Sequence, residues 1–471
     1  MRKLSPLDVT SQNSAGVPIA PPVITDCRPF KNAQTRHSDA AMVRKIGLLN
    51  HMGGGNLGDD ATQDAVMQNI RRRWPDAEIV LFSMNPADTS SRHGVTSYQI
   101  RIEFGHLAER NANVRPAADG KVKSLLRKCR PVFLLLHSIK RAAIRVRCAL
   151  LDEPLFLMRS LLILRSLDLL IISGGGQLLD SWGGPWKFPY TIFKWTLLAK
   201  LSGKKCYFLN VGAGPLAHPL AKWFVRKALS LADYISFRDT QSSKLIESIG
   251  FKGHSQVAPD CVYALEFSAA PASRASAREA PLVGISPMAY CDPRVYWQKD
   301  PAVYERFIHN VACFGDWLGR NHCRLALFST DIWFDLRTIR EVDALLESTN
   351  RHPGPRVRYE IAGLNELLST MRSMDYVVTC RFHGVVFAHL LNKPVIALSH
   401  HPKVSTLMSE LGLQKYCLDI RKCDLNLLQE TFLCLQANQE EIRARMAEKA
   451  AIYRRVLWAQ FDRLFAQVAS I

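Results

Sequence analysis

Short apolar runs alternate with amphipathic stretches along most of the chain. The apolar runs predict buried strands at 45–49, 79–82, 169–172, 206–211, 234–237, 256–258, 282–286, 324–328, 357–359, 376–378 and 395–398. The stretches between them predict helices that include 60–74, 191–201, 220–232, 240–250, 304–320, 364–373 and 384–391. Strands and helices that alternate in this way are typical of βα units on a parallel sheet.

The same pattern divides the chain into two halves. Residues 1–40 are rich in Pro, Ser, Asn and Gln, which predicts a disordered lead-in. Residues 41–267 and 282–425 each have the pattern of one Rossmann-like domain, and the polar stretch 268–281 between them is typical of a linker. Residues 426–471 have a helical pattern and could pack back across both halves. We therefore expect an α/β fold in which two doubly wound domains face a cleft, with a C-terminal helical tail.

The composition is that of an ordinary globular protein. Of the 471 residues, 48% are hydrophobic and 22% are charged. No apolar run is long enough to span a bilayer, and the N-terminus lacks the pattern of a secretory signal. The twelve cysteines include no C-x-x-C pair, which argues against a zinc knuckle or a thioredoxin-like motif. Scattered thiols fit a reducing compartment, so we expect a cytoplasmic protein.

The net charge of +19 is unevenly distributed. Residues 115–165 hold twelve Lys or Arg and only three acids, interleaved with Leu, Val, Ile and Phe. Such a basic amphipathic insertion suits an anionic membrane surface, here the inner face of the plasma membrane. The alternative is a solvated basic face on helices that pack inward. We do not expect nucleic acid as a partner, because no finger, helix-turn-helix or RNP-type signature accompanies the charge.

The loop after the first strand, "HMGGGNLGDDA" (51–61), satisfies G-x-G-x-x-G. Two features argue against a dinucleotide: Asp59 and Asp60 would oppose a pyrophosphate in the first helical turn, and the second strand does not end in an acidic residue. These carboxylates could instead hold or deprotonate sugar hydroxyls, or Asp59 could cap the helix. Asn56, in the same loop, is a further candidate for binding substrate.

Later strands of the first half also end in residues that suit a ligand. Gly175 in "IISGGGQLLD" and Gly212 in "FLNVGAGPL" would let a ligand approach the backbone, although tight turns need glycine too. Arg238 follows the strand in "ISFRD", and Asp260 follows a proline in "VAPDC". The carboxyl ends of parallel strands meet at one edge of a sheet, where ligands bind.

The second half adds further cations at its strand ends. Arg381 and His383 follow one strand in "TCRFHG", and His400 and Lys403 follow the next in "ALSHHPK". One cation after one strand is usually a surface or capping residue. Together with Arg238, these residues would share one rim, which predicts an anion site. We expect no metal site, since Asp260 alone does not form one.

In this order, the motifs "GNLGDDA", "SGGGQLLD", "VGAGPL", "SFRD", "PD", "CRFHG" and "SHHPK" resemble the polysaccharide pyruvyl transferase family, over roughly residues 43–420. The resemblance implies a two-domain fold similar to GT-B glycosyltransferases. It also implies transfer of an enolpyruvyl-derived group from phosphoenolpyruvate onto sugars of exopolysaccharides or cell-wall polymers, usually as a ketal. Arg238, Arg381 and His383 match the family positions that hold phosphoenolpyruvate. The insertion 115–165 and the long N-terminus depart from the family pattern, which leaves the acceptor open.

The residues themselves suit this chemistry. Phosphoenolpyruvate is a trianion, and an arginine binds its carboxylate or phosphate in a bidentate manner. His383 is our candidate acid for protonating the methylene carbon, or it only hydrogen-bonds the carboxylate. Asp59, Asp60 and Asp260 are candidate bases for the acceptor hydroxyl. We expect no cofactor besides the donor substrate.

Two other functions also fit the sequence. One is a nucleotide-sugar-dependent GT-B glycosyltransferase, which would have the same fold. The other is a non-catalytic, membrane-attached protein of polysaccharide assembly. The acceptor could be a lipid-linked oligosaccharide.

Overall fold

The computed structural model describes residues 44–102, 151–267, 280–349 and 356–469. The predicted lead-in 1–40, residues 115–150 of the basic insertion and residues 268–279 of the linker lie outside these ranges.

The first domain is built on a parallel sheet with strand order β3-β2-β1-β4-β5-β6-β7. Its strands are β1 (Lys45–Leu49), β2 (Glu78–Ser83), β3 (Ser97–Gln99), β4 (Leu169–Ser173), β5 (Lys205–Val211), β6 (Tyr234–Phe237) and β7 (Gln256–Val257). The strand order reverses direction at β1 and β4, where a doubly wound sheet opens a crevice for ligands.

The second domain has a parallel sheet with strand order β10-β9-β8-β11-β12-β13. Its strands are β8 (Leu282–Ser286), β9 (Arg324–Leu327), β10 (Arg356–Arg358), β11 (Tyr376–Thr379), β12 (Val395–Ser399) and β13 (Cys417–Asp419). The central strands β8, β11 and β12 are buried except for Ser399 at the end of β12, as expected where helices cover both faces.

Helices cover both sheets and form the tail. They are α1 (Leu57–Arg73), α2 (Pro86–His93), α3 (Glu153–Arg165), α4 (Phe188–Leu201), α5 (Pro219–Leu231), α6 (Thr240–Ser248), α7 (Pro301–Arg320), α8 (Leu336–Thr349), α9 (Leu364–Ser373), α10 (Phe382–Leu390), α11 (Pro402–Glu410), α12 (Leu425–Ala437) and α13 (Gln439–Ala469). Among the described residues, no helix is long and apolar enough to cross a bilayer.

The predicted fold class is confirmed: two parallel-sheet α/β domains precede a helical tail. Each predicted strand is present, with its ends within about one residue of the expected positions. The apolar pattern does not predict β3, β13 or α2. The two strands are three-residue edge strands without an apolar run, and α2 is a polar, mostly half-buried helix.

The tail contacts both domains. On the side of the first domain, the Gln460 amide donates to Asn210 Oδ1 at 2.8 Å. On the side of the second, the His389 ring lies between the Tyr263 hydroxyl and the Met446 carbonyl, each at 2.9 Å. Burial lowers the pKa of His389 to about 4, so this buried ring is neutral near pH 7. The expectation that the tail packs across both halves is therefore confirmed.

Two loops join the domains at one end of the cleft. The Leu57 amide donates to the Thr330 carbonyl at 3.1 Å, and the Ile332 amide donates to the Gly55 carbonyl at 2.9 Å. Gly55 has a φ of +79° and lies against the Trp333 ring, where a Cβ would overlap. Glycine is thus required at this close approach. The glycine-rich loop after β1 therefore fixes the position of the loop after β9.

Candidate functional site

A cavity of about 470 Å³ lies between the domains, at the carboxyl ends of both sheets. Its walls are loops that follow β4, β5 and β6 in the first domain and β8, β9, β11 and β12 in the second. The predicted site residues that line it are Gly212, Arg238, Arg381, His400 and Lys403. Strand-end cations from both halves of the sequence therefore surround one cavity.

Arg238 is held flat at the wall of this cavity. Its side chain is 5% exposed, and its guanidinium lies over the Phe382 ring at 4.2 Å from the centroid. Nη1 is 3.5 Å from Asp260 Oδ2, and Nε is 3.5 Å from Asp239 Oδ2. A Cβ at Gly212 would overlap the guanidinium, so the glycine after β5 provides space for the arginine after β6.

His383 and Asp260 lie directly behind Arg238. His383 is buried in the first turn of α10, with Nε2 3.7 Å from Asp260 Oδ2. The ring packs on Gly58 of α1, which leaves no space for a Cβ there. Burial alone would raise the pKa of Asp260, but attraction to His383 and Arg238 outweighs burial and lowers it. Asp260 is therefore a fixed negative charge between the histidine and the arginine.

Several buried polar atoms at this site lack a hydrogen-bond partner among the described residues. They are Arg238 Nε, Asp260 Oδ2, His383 Nε2 and His400 Nδ1. Most buried polar atoms in native proteins are hydrogen-bonded, so each exception needs an explanation. Of these four residues, Arg238 and His400 line the cavity, while Asp260 contacts Arg238 and His383 contacts Asp260. Such a connected group is the arrangement expected of a site that binds a polar ligand.

The sequence predicts that the guanidinium of Arg381 binds the donor in a bidentate manner, but the structure pairs it with a carboxylate. Nε donates to Asp335 Oδ2 and Nη2 donates to Asp335 Oδ1, both at 2.8 Å. Nη2 also lies 3.1 Å from Asp331 Oδ2. Asp335 is fully buried and accepts in addition from the Ala289 amide. The bidentate edge of Arg381 is therefore occupied by an aspartate of its own domain.

Lys403 lies in the first turn of α11 beside the two arginines. Among the described residues, no carboxylate or hydrogen-bond acceptor pairs with its Nζ. Burial and repulsion by Arg238 and Arg381 lower its pKa to about 8. Asp59 and Asp239 offset this effect only in part.

The two histidines before α11 are not cations near neutral pH. Burial lowers the pKa of His401 to about 4, and its Nδ1 accepts from the Lys403 amide at 3.2 Å. Burial and the charges of Lys403 and Arg381 lower the pKa of His400 well below its usual range. His400 can therefore accept or donate a hydrogen bond in the cavity as a neutral ring.

Asn56, and not Asp59, caps helix α1. The Asn56 side chain accepts from the Gly58 amide at 3.1 Å and donates to Asp59 Oδ2 at 3.0 Å. Burial raises the pKa of Asp59, and the nearby His383 partly offsets this effect. The idea that Asp59 serves as the helix cap is therefore wrong, and its carboxylate lies next to His383. Asn56 hydrogen-bonds Asp59 and does not line the cavity.

Asp60 faces away from the cleft, toward α2. Its carboxylate is 3.7 Å from His93 Nε2 and 3.8 Å from Arg92 Nε. Burial alone would lower the pKa of His93, but Asp60 and Asp64 outweigh burial and raise it to about 9. Asp60 is thus paired with a histidine that is charged at neutral pH. It does not lie in the cleft, where a base for the acceptor hydroxyl is expected.

Gly175 supports the loop after β4 and does not line the cavity. It has a φ of +67°, a backbone conformation that favours glycine. Its carbonyl accepts from the Gly212 amide at 2.8 Å. The tight-turn alternative for this glycine is the one that the geometry favours.

The sequence pattern does not single out several residues that shape the site. They are Asp331 and Asp335, which flank Arg381, and Trp182, Tyr296, Trp297 and Phe334, which line the cavity. All lie in loops at the carboxyl ends of strands, and only this position could have indicated them. No group of metal-ligating side chains suited to an ion occurs in the described ranges.

Solved structures that resemble this one share its architecture at low sequence identity. A putative UDP-N-acetylglucosamine 2-epimerase from Listeria monocytogenes has a TM-score of 0.53 at 13% identity, over 91% of this chain and 96% of the other. UDP-GlcNAc 2-epimerase from Neisseria meningitidis, bound to UDP-GlcNAc, has a TM-score of 0.52 at 11% identity, over 91% and 99%. The spinosyn rhamnosyltransferase SpnG with thymidine diphosphate has a TM-score of 0.50 at 12% identity, over 90% and 100%.

These similarities show a GT-B-like fold and nothing about activity. A comparison with curated proteins finds no match. Residues 56–402 match the polysaccharide pyruvyl transferase family, and this span contains both arginines, His383 and every lining residue of the cavity except Lys403. The match covers most of the chain, and the protein belongs to the polysaccharide pyruvyl transferase family.

Proposed function

We propose that the protein transfers a pyruvyl group from phosphoenolpyruvate to a sugar of an exopolysaccharide or cell-wall polymer precursor. The product is a ketal, and phosphate is released. The observation that carries the proposal is the group of unpartnered polar atoms on Arg238, Asp260, His383 and His400 beside a cavity that also holds Lys403. The family to which the chain belongs supports the same reaction.

Arg238 and Lys403 are the main donor contacts in this proposal. Arg238 has an unpartnered Nε, and its contacts to carboxylates are 3.5 Å long, which leaves its N–H groups available to a phosphate or carboxylate. Lys403 has no carboxylate partner in the described ranges, so an anion would relieve its repulsion by the arginines. Arg381 is held by Asp335, and it contributes positive potential more than a bidentate contact.

The chemistry needs one proton at carbon and one leaving group. His383 delivers a proton to the methylene carbon, and a sugar hydroxyl oxygen attacks C2 to form the first C–O bond. A second hydroxyl of the same sugar then displaces phosphate from C2 and completes the ketal. One hydroxyl proton replaces the one that His383 gave to carbon, and the other leaves with phosphate. The fixed charge of Asp260, 3.7 Å from His383 Nε2, stabilises the protonated ring before transfer.

We assign Asp59, which lies beside His383, as the base. A raised pKa brings its carboxylate closer to the range in which it can accept a proton from a hydroxyl. Asp260 has a lowered pKa and Asp60 is engaged by His93, so both are poorer bases. Asp59 therefore takes the proton of the attacking hydroxyl and passes it to His383, and Asp260 positions His383 and Arg238.

The test combines donor binding with turnover. Calorimetry should detect phosphoenolpyruvate binding, and phosphate release should occur with at least one member of a panel of lipid-linked oligosaccharides. Asp59→Asn should reduce turnover by about 10²-fold and keep donor affinity. Asp60→Asn, the matched control, should keep both. Equal turnover of the two variants would remove Asp59 from the mechanism.

A nucleotide-sugar-dependent glycosyltransferase is the alternative enzyme on this fold. Binding of a nucleoside diphosphate, with no binding of phosphoenolpyruvate, would favour it and overturn the donor proposed here. In the reaction proposed here, phosphoenolpyruvate is a substrate and no further cofactor takes part.

We propose that the reaction takes place at an anionic membrane surface on the cytoplasmic side. An exposed apolar stripe on and just before α3 supports this location; we call Leu151, Leu155, Met158 and Leu162 the α3 stripe. These residues are spaced along one helical face. Glu153 on α3 accepts a hydrogen bond from Lys194 Nζ on α4 at 2.8 Å, which attaches the helix to the first domain. The basic residues of 115–165 precede or surround the stripe in sequence. Apolar insertion combined with basic charge suits anionic lipid.

A further inference from the structure

Aromatic side chains from both domains line the cavity and remain exposed. Trp182, in the loop after β4, is 54% exposed, and Trp297, in the loop after β8, is 53% exposed. Phe334, after β9, is exposed as well. Large aromatic side chains bury much apolar area when they pack, so their exposure at a cavity indicates a binding surface.

The aromatic wall of the second domain is ordered by its own packing. The Tyr296 and Trp297 rings stack with centroids 5.8 Å apart and an interplanar angle of 30°. Tyr290 packs edge-on against Tyr296 at 5.4 Å, and its hydroxyl accepts from Arg421 Nε at 2.6 Å. Trp297 is thus held at the end of a row of rings, with little freedom to lose on binding.

The loop that carries Trp182 is also anchored. Asp180, two residues earlier, accepts from the amides of Ala217 and His218 at 2.8 and 2.7 Å. Its own amide donates to the Pro215 carbonyl at 3.0 Å. The Trp182 loop is therefore tied to the loop after β5, whose residues Gly214 and Pro215 line the same cavity.

The cavity is larger than the donor requires. Its volume of about 470 Å³ falls in the range of roughly 300–1,000 Å³ that is typical of drug-sized ligands. Phosphoenolpyruvate is much smaller and would occupy the part near Arg238 and Lys403. Trp182 and Trp297 also line the cavity, as do the polar side chains of Gln241 and Gln298.

We propose that Trp182 and Trp297 form the acceptor subsite, where a pyranose ring packs on aromatic faces next to the bound donor. The apolar C–H face of a pyranose suits an indole, and its hydroxyls suit amides such as those of Gln241 and Gln298. The assignment as acceptor rests on the proposed function, while sugar binding at these residues does not. One wall comes from each domain, so both domains hold the sugar.

The experiment measures sugar binding and donor binding separately. Fluorescently labelled protein is applied to a printed array of bacterial-type glycans, with Trp182→Ala and Trp297→Ala compared with the wild type. Trp223→Ala is the matched control, since Trp223 is exposed on α5 and does not line the cavity. Thermal unfolding confirms that each variant folds, and calorimetry measures phosphoenolpyruvate binding.

The expected result is binding of at least one glycan by the wild type and by Trp223→Ala. Each cavity variant should lose about tenfold or more in affinity while donor binding is kept. The Phe variants at both positions should recover most of the binding, because they retain an aromatic face. The inference is overturned if the wild type binds no glycan, or if both alanine variants bind as the wild type does. If the wild type does not bind phosphoenolpyruvate, the proposed function is overturned. Glycan binding at Trp182 and Trp297 would still be a valid result.

Discussion

Lys403 should make donor binding depend on pH in the alkaline range. Burial and the charges of Arg238 and Arg381 lower its pKa from 10.5 to about 8. A bound trianion would offset that repulsion and return the pKa toward its ordinary value. At any pH where Lys403 of the free protein has lost its proton, donor binding would then be accompanied by uptake of a proton.

The sign and the size follow from these two pKa values. Below pH 8 Lys403 is already charged and donor affinity is full; above pH 8 the free protein loses the proton, and the Kd rises. For a pKa that moves from 8 to 10.5 on binding, the Kd should increase about eightfold between pH 7.5 and pH 9. At pH 9, binding should take up about 0.9 protons per site.

Calorimetry can measure both quantities without any acceptor sugar. Titration of phosphoenolpyruvate in two buffers with different ionisation enthalpies gives the proton uptake, and a pH series gives the Kd. Lys403→Arg keeps the charge at all these pH values, so its Kd should be independent of pH. Lys403→Met should bind weakly throughout.

The other titratable groups near Lys403 should not cause the same pH dependence. The pKa values of His400 and His401 are lowered, so both rings stay neutral over this range. His93, with a pKa of about 9, lies behind Asp60, and any effect of its titration would persist in Lys403→Arg. A wild-type Kd that stays constant from pH 7.5 to pH 9 would refute the reasoning.

Three further predictions concern the rest of the site and the surface. Gly58→Ala should displace the His383 ring and reduce phosphate release by about 10²-fold with donor affinity kept, whereas Gly54→Ala, which has open space around it, should leave both unchanged. Arg381→Ala should lower the free energy of unfolding in urea by about 3–5 kcal/mol, because the buried Asp335 loses its cation. A loss below about 1 kcal/mol, the value of an exposed pair, would contradict this view of the pair. Replacing the α3 stripe with serines should weaken binding to anionic vesicles and spare donor binding, and equal wild-type binding to neutral vesicles would exclude an electrostatic contribution.

The apolar runs determine the strands and, with them, where the site lies. A buried parallel strand needs a continuous apolar run, and this signal is local in sequence. Ligands bind where such strands end, so Arg238 and Lys403 could be placed beside one cavity before their surroundings were known. The short edge strand β3 has no such run, because half-buried residues at an edge need not be apolar.

Only the tertiary structure decides which charges pair. Arg381 donates to Asp335, from which it is separated by 46 residues in the sequence. His383 of the second domain contacts Asp260 of the first. Asp60 turns to α2 while its neighbour Asp59 turns to His383, because successive side chains on a helix point in different directions. Contacts between distant segments depend on the approach of whole domains, and no local pattern of residues encodes them. For that reason the sequence indicates which residues surround the cavity, and the packing of the two domains decides which of them remain available to a ligand.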